Sequence, residues 1–319
     1  MRCANRRTVL AALGALGLGA CTRPVEITGG KKTPKGGIGG TGIVGTLTDF
    51  GSLIVNGTRL QTDGSTRVLD AFGRTSPRSL AVGHALTVEA AGEAGAIVAR
   101  TVRITHPVIG SVQRVSARGR RGVVADVPVT LEDGAIGHLS PGTRVAVSGV
   151  WKGRSVVASR IDRLAADGPA AIAGVVDALT KDGGRVAGVT VRTPRARLPQ
   201  TGSFVTVVGQ QVGGAIEATR IVAGRFFGAA GPLVRLSVEG FLEPVSSAPF
   251  FAVSGLGHSF DRAAKLSQIK GRRALFTGTY QGDFAVESAL ILPQDLASRR
   301  TLGAQMLTGD PAAPVLRTR

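Results

Sequence analysis

Residues 36–45 read GGIGGTGIVG and hold the spacing G-x-G-x-x-G twice, through Gly37, Gly39 and Gly42 and again through Gly40, Gly42 and Gly45. In a dinucleotide-binding turn such glycines let the backbone approach a pyrophosphate at a helix N-terminus, with a strand before them and a helix after. Here the preceding TRPVEITGGKKTPK is polar and broken by Pro24 and Pro34, and the following TLTDFGSLIVNG has the period-two, β-branched pattern of a strand. The glycines therefore read as a joint that enters a first strand.

Other groups capable of chemistry are sparse. The four histidines, His84, His106, His138 and His258, show no H-x-H or H-E-x-x-H spacing and read as exposed loop residues, with no metal site expected. Ser148 in AVSGV and Ser254 in AVSGLG lack the leading glycine of a G-x-S-x-G elbow and precede turns. Glu132 and Asp133 in LEDG, and Asp182 in KDGG, read as turn formers. No catalytic residue and no cofactor is expected, and an envelope enzyme ranks third among the readings.

Charge is the stronger signal. The formal net charge is +18, and only seven of the 39 basic residues are lysine. Arginine pairs bidentately with phosphate and carboxylate, and a field of this sign draws anionic polymers or surfaces. The clusters Arg118, Arg120 and Arg121 in ARGRRG, Arg192, Arg195 and Arg197 in VRTPRARL, and Arg272 and Arg273 in KGRR fall near strand ends. They form one anion-binding stripe if the units align, and a solvated surface if they scatter. Nucleic acid is the less favoured partner, because only 13 aromatics are present, 11 of them phenylalanine, and single-strand binding uses aromatic platforms. Trp151 in SGVWKG and Tyr280 in TGTYQG occupy equivalent hairpin tips, either as exposed contact anchors or folded over their own units.

The N-terminus reads as an export signal, with Arg2, Arg6 and Arg7 followed by an apolar run from Val9 to Ala20 that is too short to span a bilayer as a helix. The run closes with Leu18-Gly19-Ala20-Cys21, which resembles a bacterial lipobox; that resemblance implies diacylation of Cys21 and cleavage before it. Asn5 to Leu10 is similar to a twin-arginine signal, and Thr22 after the cysteine points to the outer membrane. Cys3 leaves with the signal, so the mature chain has no disulfide, and loss of the signal's three arginines lowers the net charge to +15.

The elements that must position these groups come in copies. IVGTLTDF, VIGSVQRV, IAGVVDAL and VEGFLEPV place Gly45, Gly110, Gly174 and Gly240 at nearly even spacing. Each copy then has a glycine before an alternating strand, as in HLSPGTRVAVSG, and a second alternating strand after a short turn, as in SVVASRIDRL. No copy carries a long stripe with a 3.6-residue period, which argues against a parallel βαβ sheet. The expected fold is all-β, as four tandem small antiparallel barrels, OB-like, of about 65 residues each. The boundaries are a signal at 1–21, a Gly/Lys/Pro tether at 22–41, β-units at 42–106, 107–168, 169–233 and 234–294, and a tail at 295–319 that begins as a short helix. ADGPA at 166–170 and AGRFFGAAGPLV at 223–234 read as linkers.

GIGGTGIVGTLTDFGSLIVNG, residues 37–57, together with the repeated V-x-G and A-x-R-I hairpins, resembles the bacterial family DUF5666, best over residues 42–106. The resemblance implies a small β-domain of the cell envelope and carries over no catalytic residue. The expectation is a non-enzymatic lipoprotein, a rod of β-units anchored to the membrane through Cys21 that binds an envelope component or protein partner. The alternative is a module for lipopolysaccharide, acidic glycan or nucleic acid.

Overall fold

In a computed structural model the described residues are 39–50, 52–92, 96–193, 197–244, 251–257, 259–260 and 269–308. The signal, Cys21, Arg195, His258 and the end of the tail lie outside them. The first unit contains β1 (Gly40–Asp49), β2 (Leu53–Val55), β3 (Thr58–Leu60), β4 (Arg67–Asp70), β5 (Gly73–Arg74), β6 (Ala85–Ala91) and β7 (Val98–Ile104). The second contains β8 (Val108–Val115), β9 (Arg121–Val124), β10 (Val127–Ile136), β11 (Arg144–Lys152) and β12 (Ser155–Arg163). The third contains β13 (Ala170–Thr180), β14 (Gly183–Val186), β15 (Val189–Arg192), β16 (Phe204–Val212) and β17 (Ala215–Ala223). The fourth contains β18 (Leu233–Pro244), β19 (Phe251–Val253), β20 (Ser259–Phe260), β21 (Arg273–Tyr280) and β22 (Asp283–Ile291), and helix α1 (Leu296–Thr308) follows it. The first strand thus begins within the expected tether.

The second unit is a closed five-stranded barrel in which β8, β9, β10, β12 and β11 pair in that order and β11 returns to β8; only the β10–β12 contact is parallel. The third closes in the same way through β13, β14, β15, β17 and β16, with β15–β17 parallel. Closure removes the exposed edges that would otherwise template aggregation. In the first unit the equivalent step from β3 to β7 is a single parallel bridge, Gln61 to Val98.

The recurring glycines have a steric cause. A Cβ on Gly45 would lie 2.0 Å from Asn56 Oδ1, one on Gly110 2.6 Å from Ala125 Cβ, and one on Gly174 2.7 Å from Ala187 Cβ. Asn56, Ala125 and Ala187 all sit at positive φ in the tight turn that follows the second strand of their unit. The turn folds its tip onto the first strand, and only a residue without a side chain leaves room. A second set marks a register shift in the closing hairpin, between Ser148/Gly149, Val208/Gly209 and Thr277/Gly278, and the first unit has the same shift between Glu89 and Ala90. At Gly209 a Cβ would come within 2.0 Å of Glu217 O, so the bulge brings the strands too close for any side chain.

The units do not run end to end as a rod. β1 pairs with β18 in parallel, joining the first unit to the fourth, and β8 pairs with β13, joining the second to the third. One apolar core runs from Val108 through Trp151 to Ile216 across the second and third units, while Val44 of the first packs on the core of the fourth. Ala71, Ile109, Ala146, Ala171 and Val208 form a further cluster from three units. Sixty-residue domains bury little surface alone, and sharing ladders and cores compensates for that.

The connections are built in. Arg144 donates to the carbonyls of Ala165 and Pro169, at 3.3 and 2.6 Å, holding the 166–170 segment against β11. Residues 223–234 cross back to the first unit, where Glu89 accepts hydrogen bonds from Phe227 N and Ala229 N at 2.8 and 2.7 Å. Asp295 accepts from Ser298 N at 2.8 Å and caps α1, whose Gly303 lies against Thr48 and Gly57.

Candidate functional site

The groups picked out by type and spacing divide into an exposed basic rim and a set of buried junctions. Arg118 and Arg120 lie exposed in the turn between β8 and β9, and Arg121, also exposed, begins β9. Arg120 pairs with Asp133 at 2.6 Å and donates to Leu131 O at 3.1 Å. Between those two anchors is Glu132, which is buried and bonded to Arg273. The side chain of Arg273 is therefore part of the interior, a correction to its reading as a surface contact, while the adjacent Arg272 stays exposed. Arg120 of the second unit and Arg273 of the fourth thus both contact β10, one from the exposed side and one from the interior. Arg197 is exposed in the third unit and Arg192 pairs with Glu217 at 3.5 Å, and among the described residues no contact joins them to β10.

Glu132 and Glu239 face Arg273 and Arg299 in a cluster drawn from the second unit, the fourth unit and α1. Arg273 binds Glu132 and lies 2.7 Å from Glu239; Arg299 Nη2 is 2.5 Å from Glu132 Oε1; Thr46 N donates to Glu239 Oε2 at 2.6 Å. Two carboxylates and two guanidinium groups balance, which is what permits their burial. Burial alone would raise the Glu239 carboxyl, but Arg273, Arg299 and the Thr46 hydrogen bond outweigh it and hold the group below the ordinary carboxylate range. Glu132 is thus a buried strand residue and not a turn former. A sequence signal for the cluster was absent, since Glu132 lies more than a hundred residues from the two arginines it binds.

His84 and His106 correct the expectation of exposed loop histidines; both are buried where the first unit meets the second. His84 Nδ1 accepts from Ala81 N at 3.0 Å, which leaves Nε2 to donate to Asp162 Oδ2 at 2.9 Å. Asp162 also receives Arg160 Nε at 2.6 Å. Burial would raise its carboxyl, yet the bonds and charges from His84 and Arg160 leave it lowered. His106 Nδ1 lies 3.2 Å from Ser148 Oγ, and its ring meets that of His84 edge-on at 5.8 Å. Burial, followed by the proximity of His84, pushes the His106 imidazole down to about 4. This Ser–His contact cannot serve as a nucleophile pair, because Ser148 is completely inaccessible.

The two aromatic tips diverge. Trp151 is 4% exposed, with Nε1 donating to Ala173 O at 2.9 Å and its ring against Gly174 and Gly255. It plugs the meeting point of three units and is not an exposed anchor. Tyr280 is half-buried beside the fourth unit's core, and burial, then Asp283, pushes its phenol up. Among the described residues no cluster of His, Cys, Asp and Glu is arranged to hold a metal, and no helix is long and apolar enough to cross a membrane.

Comparison with known proteins adds one finding. No curated protein and no solved structure matches the chain. Residues 41–103, the stretch from β1 to β7 whose glycine-dependent turn and closing hairpin are described above, match the family model named Domain of unknown function (DUF5666).

Proposed function

We propose that the protein is a non-enzymatic binding or scaffold component of the bacterial cell envelope, held to a membrane by lipid on Cys21 and built from four OB-like units in a closed array. The order of strands in the second and third units, closed with one parallel pair, supports the OB-like assignment. The observation that carries the functional reading is where the polar chemistry sits. His84, His106, Ser148, Glu132, Glu239 and Arg273 are all consumed in locking units together. Membrane fractionation of cells carrying Cys21→Ala tests the anchor: the variant moves to the soluble fraction, and full retention in the membrane refutes the lipid tether.

A second reading is favoured by a separate observation, the grouping of exposed Arg118, Arg120 and Arg121 where the β8–β9 connection meets β10. On this reading the rim binds lipopolysaccharide or another acidic envelope polymer. Binding to lipopolysaccharide then weakens steeply between low and moderate salt, and Arg118→Gln/Arg120→Gln/Arg121→Gln abolishes it. Salt-independent binding, or binding equal in the triple variant, refutes it.

A further inference from the structure

A cavity of about 100 Å³ opens between the first and third units, lined by Asp70 and Ala71, by Arg103 and His106, and by Ala173, Thr206 and Arg220. Arg103 stands on β7 and Arg220 on β17, so two guanidinium groups from different units face one space. Neither has a carboxylate within ion-pair distance among the described residues. Arg220 instead donates to backbone carbonyls, Phe72 O at 3.0 Å and Ala71 O, and Arg103 lies 3.8 Å over the Phe227 ring.

The one carboxylate lining the cavity is already engaged. Asp70 Oδ1 accepts from Phe72 N and Gly73 N, at 2.7 and 2.9 Å. Glu89, the acid electrostatically coupled to Arg103, accepts the backbone N–H groups of Phe227 and Ala229. Buried His106 bonds to Ser148 and adds no positive charge near neutral pH. Burial, only partly offset by Glu89, pushes Arg103 down to about 10, and the charge of Arg220 adds to that shift. The adjoining cavity, which shares Thr105 and Ala173, contains Arg225, buried over the Phe204 ring and donating to the carbonyls of Gly255 and Leu256 and to Thr87 Oγ1.

Holding like charges together in a partly buried cleft is costly unless an anion completes the set. Guanidinium forks match the geometry of tetrahedral oxyanions. We propose that the junction cavity is a binding site for a phosphate or sulfate group, gripped by Arg103 of the first unit and Arg220 of the third. Exposed Phe72 and Phe227 stand beside the two arginines and supply apolar surface for whatever carries the group. Because a site shared by two units is complete only when they are docked, occupancy also clamps the first unit to the third.

The site is distinct from the rim beside β10, and calorimetry separates the two. The full-length protein in detergent is titrated with inorganic phosphate and with glucose 1-phosphate at constant ionic strength. Saturable binding of either anion to one site is expected, weakened about tenfold or more in Arg103→Gln and in Arg220→Gln. Arg118→Gln/Arg120→Gln/Arg121→Gln binds as the parent does. Tighter binding of glucose 1-phosphate identifies a phosphorylated glycan as the source, and equal binding identifies the free anion; both support the site. If Arg103→Gln does not fold, Arg103→Lys and the exposed Arg220→Gln carry the test. The absence of saturable binding to the parent, or unchanged binding in folded Arg103 and Arg220 variants, overturns the proposal.

Discussion

Replacing Arg273 by methionine removes one of two cations from the buried cluster while keeping a side chain of similar length. Glu132 loses one of its two arginine partners, Glu239 keeps Arg299 only at 3.5 Å, and the site is left with one excess negative charge that water cannot reach. Breaking a buried pair in this way costs about 3–5 kcal/mol, which in a chain of this size lowers the melting temperature by on the order of 10 °C. The sign of the pH dependence is diagnostic. In the parent the Glu239 carboxyl is held low, so its stabilising contribution is present above the unfolded carboxylate range, near about 4.3, and is lost as pH falls through the lower folded value. In Arg273→Met the largest of the lowering influences is removed, leaving Arg299 and the Thr46 hydrogen bond against the burial that raises the group, so protonation relieves the variant. Circular dichroism melts from pH 7 to pH 4 should show the deficit shrinking as the medium becomes acidic. Adding Glu132→Gln restores charge balance between Glu239 and Arg299 and recovers part of the loss. A deficit that is constant with pH, or costs that simply add in the double variant, would refute the account of the cluster.

Three further outcomes test other parts of the structure. Trp151, the sole tryptophan, should emit in the blue, resist acrylamide quenching in the native state, and shift red on unfolding; Trp151→Ala should cost about 3–5 kcal/mol in urea titration. Because the His106 imidazole is pushed down to about 4 by burial, the unfolded chain binds a proton first as pH falls from about 6.5. Stability is therefore lost across that window, by on the order of 3 kcal/mol, and His106→Gln should flatten that portion of the stability curve. Gly174→Val presses a Cβ to 2.7 Å from Ala187 Cβ and should cost at least about 1–3 kcal/mol by thermal melt; an unchanged melting temperature would mean that the turn can move away from the strand.

Local signals survive in a sequence when they depend on neighbours along the chain. The alternation in TRVAVSG and SVVASRI reports strands because side chains on a strand face opposite sides whatever the partner, and these segments form β11 and β12 as read. The short helix after Asp295 was legible for the same reason, since its cap and its turns are local. Gly45, Gly110 and Gly174 were legible as landmarks, yet their cause, the turn tips at Asn56, Ala125 and Ala187, required the fold. The arginine clusters show the boundary between the two. Arg118 and Arg121 are exposed, but Arg273 is buried because Glu132, 141 positions away, comes to meet it. Likewise Trp151 was identified from its repeat position, while its burial followed from Ala173 and Gly255 of other units. Composition and periodicity determined that the chain makes β-units. Only tertiary structure decided which charges are solvated and which are locked between units, because burial of a charge depends on a partner that sequence distance does not reveal.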